Sequence, residues 1–307
     1  MKRNTFQLKK TKYGDFDEVF KNPCSIELKS FVTGYVVINK KGTLNPEHPN
    51  AGNIENEDLK VPVMVHWIKH PKLGDYLIDA GLDKSYFKDP QGKMKGIFAG
   101  IFKKFELFDE EYIQEKDQNI AYHVKKNSIN LKGVFLSHLH SDHIAGVREL
   151  PKDIPYIVGK GEKYTNCKPL KNFTNFWCLE NFQFSKAFFY GDYLNGIEVL
   201  YEIDFSKASV MPILGQCADI FGDGSFWAIR TPGHTNGHMS FLINSKNNPI
   251  LITADACFIN EGFEKGIGSS SYTDDVEMAQ ASLNNLVEFK KVYMYIKVLC
   301  GHEIDYI

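Results

Sequence analysis

The sequence predicts an α/β protein in which two mixed β-sheets pack face to face with helices on the outside. Apolar strand-like runs follow one another closely in the first 80 residues, as in β-hairpins, whereas later runs alternate with helical patterns. The chain has 307 residues, which is enough to bury one large core. We therefore expect a single domain spanning 1–307.

The predicted elements follow from apolar period and from turn residues. Gly222-Asp223-Gly224 predicts a hairpin turn. Asp274 followed by Glu277 resembles a capping box that opens a helix. Strands are predicted at 31–39, 62–69, 75–78, 133–138, 226–230, 249–253 and 292–300, a long polar loop at 40–60, and helices at 117–126, 142–150 and from Asp274 to about Lys290.

Composition limits the classes of partner. The net charge is −2 and the isoelectric point is near 6.6, so the chain has no global basic field for nucleic acid. We expect no membrane partner, because no apolar stretch is long enough to span a bilayer. The six cysteines show no CxxC spacing, and the N-terminus lacks the pattern of a signal peptide. These features predict a reduced, cytoplasmic protein.

The run Ser137-His138-Leu139-His140-Ser141-Asp142-His143 carries most of the functional signal. It places three imidazoles and a carboxylate in six residues, directly after an apolar run. Imidazole nitrogen and carboxylate oxygen are ligands for borderline transition metals. If the strand continues to His138, then His138 and His140 project the same way. The side chains of Asp142 and His143 would point in a different direction, so one segment can bind two adjacent metals.

Further candidate ligands follow other predicted strands. His234, Asp255 and His302 each lie just past a strand end, which is where a rigid scaffold carries its chemistry. In contrast, four other histidines have no partner at ligand spacing and are predicted to be surface or lining residues. They are His48, His66, His70 and His123.

This order of motifs resembles the metallo-β-lactamase superfamily. The segment Asp75-Tyr76-Leu77-Ile78-Asp79-Ala80-Gly81 is similar to the family's strand and Asp-x-Gly turn. The resemblance implies an αββα sandwich with two divalent metal ions. Zinc is the metal expected, and iron, manganese or cobalt would also fit the ligands. It implies that His138, His140 and His234 hold one metal, and that Asp142, His143 and His302 hold the other.

The same resemblance implies that Asp255 bridges the two metals together with a water or hydroxide that acts as nucleophile. Asp142 and Asp255 are thereby assigned catalytic roles. His238 and Asp79 are expected to support the site from outside the ligand set.

Within the superfamily, the chain is similar to the N-acyl-homoserine lactone lactonases, enzymes of quorum quenching. That branch usually has a tyrosine three residues after the bridging aspartate, where this chain has Phe258, so Phe258 is expected on the substrate side of the site. Phenylalanine cannot donate a hydrogen bond to an oxyanion, and Tyr272 is a candidate replacement. The resemblance therefore implies a lactone or carboxyl-ester hydrolase acting on a small molecule. Thioester, phosphodiester or sulfate-ester hydrolysis stays open, as does a non-catalytic role.

Two segments stand apart from the predicted sandwich. Within 84–115, apolar positions at helical spacing between 94 and 105 predict an amphipathic helix. This helix packs on the core, covers the site as a lid, or forms a subunit interface. The aromatic-rich segment 165–195 either walls an acyl pocket, forms a small second core, or makes a contact in a homodimer.

Overall fold

The computed structural model describes residues 1–89, 111–163 and 193–304. Within these residues, two mixed sheets pack face to face and helices lie on both outer faces, so the predicted αββα fold is confirmed. The strands are β1 Lys2–Thr5, β2 Glu27–Asn39, β3 Asp58–His70, β4 Gly74–Ile78, β5 Glu111–Ile113, β6 Leu131–Phe135, β7 Tyr156–Gly159, β8 Val199–Ile203, β9 Ser209–Met211, β10 Gly215–Asp219, β11 Phe226–Arg230, β12 Met239–Ser245, β13 Asn248–Ala254 and β14 Lys297–Cys300. The helices are α1 Phe16–Phe20, α2 Lys40–Thr43, α3 Ile120–Lys126, α4 Ser141–Ile144, α5 Asn260–Lys265 and α6 Val276–Val292, with 3-10 turns at Lys84–Phe87, Ala145–Glu149 and Phe205–Lys207.

The two sheets differ in strand direction. The first has the order β1-β8-β7-β6-β4-β3-β2-β5, parallel from β1 to β4 and antiparallel beyond it. The second has the order β14-β13-β12-β11-β10-β9 and is antiparallel except for the β13–β14 pair. Strands β4 and β6 therefore end at one edge of the first sheet. Strands β11, β13 and β14 likewise share a direction in the second.

Alternating side chains divide the core into three layers. Along β11, Phe226 and Ala228 join the layer between the sheets, while Trp227 and Ile229 join the layer under α1 and α6. Successive side chains of a strand point to opposite faces, so a strand buried on both faces contributes to two layers. Between the sheets, the rings of Phe135 and Phe226 meet edge to face with centroids 5.1 Å apart. The outer layer of the first sheet includes Ile120 of α3.

Several element boundaries differ from the sequence prediction. Strand β6 ends at Phe135, so His138 and His140 lie in a loop and not in a strand. The predicted strand 292–300 is limited to its last four residues, because α6 continues to Val292 and a turn follows it. The predicted capping box is also wrong, since Asp275 and not Asp274 caps α6 by accepting from the Met278 amide. The predicted loop at 40–60 contains α2 and the start of β3.

The two separate segments are described only at their ends. A 3-10 turn opens the first, and β5 closes it by pairing with β2. The amphipathic helix predicted between 94 and 105 lies outside the described residues, as does 165–192 of the aromatic-rich segment. Among the described residues, no helix is long and apolar enough to cross a membrane.

Candidate metal centre

Four loops that follow strand ends form the site. The loop after β6 carries His138 and His140 and leads into α4, which carries Asp142 and His143. Strands β11, β13 and β14 are followed by His234, Asp255 and His302, respectively. Because these strand ends meet at one end of the sandwich, side chains more than a hundred residues apart converge there.

Three histidines form the first cluster. The Nε2 atom of His234 lies 3.0 Å from Nε2 of His138 and 2.9 Å from Nδ1 of His140. The Oδ2 atom of Asp255 lies 3.3 Å from the same His234 nitrogen. Imidazole lone pairs that converge this closely need a positive charge between them, and a metal cation supplies it.

The second cluster lies on the other side of Asp255. The Nε2 atom of His143 lies 3.3 Å from Oδ1 of Asp255 and 3.4 Å from Oδ2 of Asp142. The Nε2 atom of His302 is 3.5 Å from each of the same two carboxylates. Asp255 therefore turns one oxygen toward each cluster, and together the two clusters contain all seven predicted ligands.

Two buried polar atoms of the second cluster fit a bound cation. Among the described residues, His143 Nε2 and Asp255 Oδ1 are buried without a hydrogen-bond partner. Such an atom costs free energy unless something satisfies it. The two atoms lie 3.3 Å apart in the second cluster, where a divalent ion would bind both. Nitrogen and carboxylate donors of this kind suit zinc and its neighbours.

The far nitrogens of three imidazoles are held by neighbouring groups. His143 Nδ1 lies 2.8 Å from an Asp79 oxygen, and His302 Nδ1 lies 3.0 Å from the Pro62 carbonyl. His138 Nδ1 lies 3.0 Å from the Ser137 hydroxyl. A proton on Nδ1 of His143 and His302 leaves the Nε2 lone pair free, which fixes both the tautomer and the ring orientation for metal binding.

Asp79 and His238 support the centre without joining either cluster. Asp79 adopts a left-handed backbone with φ of 63° and accepts from the Ser137 amide at 2.7 Å as well as from His143. His238 Nδ1 donates to the Thr231 carbonyl, and its Nε2 accepts from the Asp255 amide at 3.1 Å. His238 therefore holds the backbone of the shared carboxylate.

The electrostatics of the two clusters differ. Burial lowers the pKa of His138 and of His234 well below the usual value, so both are neutral donors near pH 7. Burial also opposes the charging of His143, but the carboxylates of Asp255, Asp142 and Asp79 raise its pKa well above the usual value. This concentration of negative charge around His143 is a field that favours a cation.

Phe258 contacts both clusters. Its ring is stacked on the imidazole of His302, with centroids 5.3 Å apart, and meets that of His234 edge to face at 5.5 Å. The ring of Tyr272 lies 6.3 Å from that of Phe258. The position that carries a phenol in the lactonase motif is thus an apolar wall here, with a tyrosine beside it.

Sequence reasoning missed Glu162, a buried acid that links two ligand loops. Its carboxylate accepts from the amides of Leu139 and Gly237, at 3.2 and 3.0 Å, and from the hydroxyl of Thr235. Burial raises the pKa of Glu162 to about 7, although these three donors oppose the shift. The available signal was an acid just past the apolar strand β7, the same placement that marked the metal ligands.

A third group of ligand-type atoms joins Cys24, His70 and Asp223. His70 Nδ1 accepts from the amides of Lys72 and Leu73, both at 3.1 Å, so the ring proton must lie on Nε2. That proton is donated to Asp223 at 2.9 Å and blocks the nitrogen that would bind a metal. The group is a structural hydrogen-bond network. His66 and His70 are both buried, so the prediction that they are surface residues is wrong for both.

Comparisons with known proteins agree with this geometry. Residues 60–166 match the family described as the metallo-beta-lactamase superfamily. The N-acyl homoserine lactonase AttM of Agrobacterium fabrum is 29% identical over 225 residues, which cover 70% of this chain and 72% of the relative. An N-acyl homoserine lactonase from a Bacillus species is 27% identical over 261 residues, covering 83% and 87% of the two chains.

Solved structures show the same fold. An N-acyl homoserine lactone hydrolase, with its product N-hexanoyl-L-homoserine bound at the catalytic metal centre, has a TM-score of 0.62 at 18% identity, covering 90% of this chain and 93% of that one. AidC, a dizinc quorum-quenching lactonase, has a TM-score of 0.55 at 17% identity, covering 91% and 87%. This chain is therefore similar to the metallo-beta-lactamase superfamily over residues 60–166, similar in sequence to N-acyl homoserine lactonases, and similar in fold to solved lactonase structures.

Proposed function

We propose that the chain is a dinuclear metal-dependent hydrolase that opens the ester ring of an N-acyl homoserine lactone or a related lactone. The observation that carries this proposal is the pair of ligand clusters that share Asp255. Each cluster offers imidazole nitrogen and carboxylate oxygen, and the shared carboxylate provides the anion that two neighbouring cations need. The curated relatives with this activity support the choice of substrate class.

The seven residues divide into two metal-binding sets. His138, His140 and His234 would hold one ion; Asp142, His143 and His302 would hold the other, with Asp255 between them. Zinc is the metal we propose, because buried sites rich in neutral imidazole suit it. When bound, two such ions would polarise the ester carbonyl and lower the pKa of a water held beside it.

The protein's own groups then handle the proton. Lactone opening adds one water: its oxygen bonds to the carbonyl carbon, the bond from that carbon to the ring oxygen breaks, and the ring oxygen gains a proton. Asp142 is placed to carry this proton, since its side chain is 12% exposed whereas that of Asp255 is 3% exposed. A positioned acid–base group of this kind contributes roughly 10²–10⁴-fold in rate.

Phe258 and Tyr272 would shape the substrate side of the centre. Phe258 presents an apolar ring against both metal sets, so it can pack on the acyl part of the substrate but cannot donate to the carbonyl oxygen. Tyr272 is the neighbouring phenol that we assign to this role. The cytoplasmic location and the homodimer remain predictions from sequence, as does the absence of nucleic-acid and membrane partners.

The test is a hydrolysis screen of the metal-loaded protein with lactones, thioesters, phosphodiesters and sulfate esters. We expect about two metal equivalents per chain and turnover of N-acyl homoserine lactones. Asp142→Ala should lower turnover by about 10²-fold or more. His48→Ala is the matched control, because His48 lies outside both clusters, and it should leave metal content and turnover unchanged.

Two results would overturn the proposal at different levels. A stoichiometry of one metal that His302→Ala does not change would refute the two-set assignment. Two bound metals with turnover of thioesters, phosphodiesters or sulfate esters, but none of lactones, would keep the metal centre and refute the substrate class.

A further inference from the structure

Glu162 lies where the loop after β7 meets two loops of the metal centre. The side chain is 3% exposed and follows a tight turn in which its amide donates to the Gly159 carbonyl at 3.3 Å. A carboxylate this deeply buried is costly unless donors satisfy it. Its three donors are the groups that tie it to the centre: the amides of Leu139 and Gly237 and the hydroxyl of Thr235.

These donors lie beside ligands of the first cluster in the sequence. Leu139 lies between His138 and His140, and Thr235 directly follows His234. One carboxylate thus joins the two loops that carry the three histidines of the first cluster. None of the three hydrogen bonds reaches α4, which carries Asp142 and His143. None reaches the loop after β14, which carries His302.

The backbone packing of the same loops is equally close. A Cβ atom on Gly237 would lie 2.6 Å from the Gly159 carbonyl oxygen and 2.7 Å from the Glu162 amide nitrogen. The loop of Glu162 therefore packs directly against the loop of His234, so a displacement of one loop should displace the other.

Asp79 provides the contrast. Its carboxylate bonds His143 of the second cluster and also the hydroxyl of Ser137, which in turn contacts His138 of the first. Loss of Asp79 should therefore disturb both clusters. The hydrogen bonds of Glu162, in contrast, reach only residues next to the histidines of the first cluster or in the loop of His234.

We propose that Glu162 is a positioning residue that sets the metal affinity of the three-histidine cluster independently of the other cluster. This inference rests on the dinuclear metal centre of the proposed function. Removal of a carboxylate that orients metal ligands lowers metal affinity by about 10–100-fold. The loss should fall on one of the two metal equivalents.

The test is a titration of metal-free protein with zinc against a chromophoric chelator, for the wild type, Glu162→Ala and Glu162→Gln. We expect one dissociation constant to rise by about 10–100-fold in Glu162→Ala and the other to stay unchanged. In Glu162→Gln the same dissociation constant should rise less. The amide oxygen can still accept a hydrogen bond from one loop, but the NH₂ group cannot accept one from the other. Asp83→Asn is the matched control, since Asp83 is also buried and hydrogen-bonded but contacts Ser85 and Arg148 instead.

Cobalt(II) provides a readout that simple loss of stability would not change. The visible spectrum of bound cobalt(II) depends on its ligands, so the two clusters should give different spectra. We expect Glu162→Ala to lose the three-histidine spectrum at cobalt concentrations that still fill the other cluster. Equal weakening of both metals, or of neither, would overturn the inference. Failure of the wild type itself to bind a second metal would instead refute the dinuclear centre.

Discussion

The contact between Gly159 and Gly237 allows a sharp test of how the loops hold the metal centre. A Cβ atom added at Gly159 would lie 1.9 Å from the Gly237 carbonyl oxygen, whereas ordinary contact begins at 3.4 Å. The backbones must therefore separate by the difference, 3.4 − 1.9, or about 1.5 Å, in Gly159→Ala. Metal–ligand distances tolerate only about 0.2 Å, and the displaced loop carries His234.

We expect two consequences of Gly159→Ala. Overpacking of this kind costs roughly 1–3 kcal/mol, which should lower the melting temperature by several degrees. The metal-loaded protein should also lose one metal equivalent, because the His234 loop moves away from His138 and His140. Thermal unfolding by circular dichroism, with and without metal, and metal analysis of the same samples measure both effects.

The control for this substitution is Gly14→Ala. The nearest atom to its added Cβ would be Glu18 Oε2 at 3.8 Å, so the native structure accepts the methyl group. Both variants reduce the entropy of the unfolded chain in the same way, so their difference isolates the packing term. If Gly159→Ala melts together with Gly14→Ala and retains both metals, the loop contact does not constrain the centre.

Two further predictions test the site and its surroundings. Phe258→Tyr places a phenol between His234 and His302, and a well-placed donor there is worth roughly 2–4 kcal/mol in the transition state, so lactone turnover should rise several-fold or more with little change in KM. An unchanged turnover in a wild type that already hydrolyses lactones well would show that another donor, such as Tyr272, fills this role. Burial, together with the nearby charge of His143, lowers the pKa of His66 from 6.5 to about 4. The unfolded chain therefore binds this proton at a higher pH than the folded chain, and stability should fall by about 3 kcal/mol as the pH drops from 6.5 to 4. Denaturant unfolding across this range should show a shallower pH dependence in His66→Gln, and identical slopes would contradict the assignment.

The ligand positions could be predicted because they follow local signals. Each ligand comes just after an apolar run, and the strands of these runs were found near their true positions at β6, β11, β13 and β14. Strand ends that point the same way must meet at one end of a sandwich. The order of the motifs in the sequence was therefore enough to predict which residues form the centre, although it gave no tertiary contacts.

Tertiary contacts decided what the sequence could not. The amides of Asp274 and Asp275 donate to the carbonyls of His234 and Gly233, at 3.0 and 2.9 Å, so the ligand loop fixes where α6 begins. The local sequence at Asp274 is consistent with a helix cap, but it does not indicate these tertiary hydrogen bonds. His70 is buried for a similar reason, since its partner Asp223 is 153 residues away.

Glu162 shows the same limit and also its consequence for function. It follows the apolar strand β7, but its neighbours in the sequence are lysines and glycines, which indicate an exposed turn. Its role exists because β7 lies beside β6 in the first sheet while β11 belongs to the second, so the turn after β7 meets loops of both sheets. The four strand ends bring the ligands together, but hydrogen bonds between loops hold them at metal-binding distances. Substitutions that alter metal affinity without touching a ligand should therefore concentrate at these loop contacts, and Glu162, Asp79 and His238 are the positions where the contacts are made by buried polar side chains.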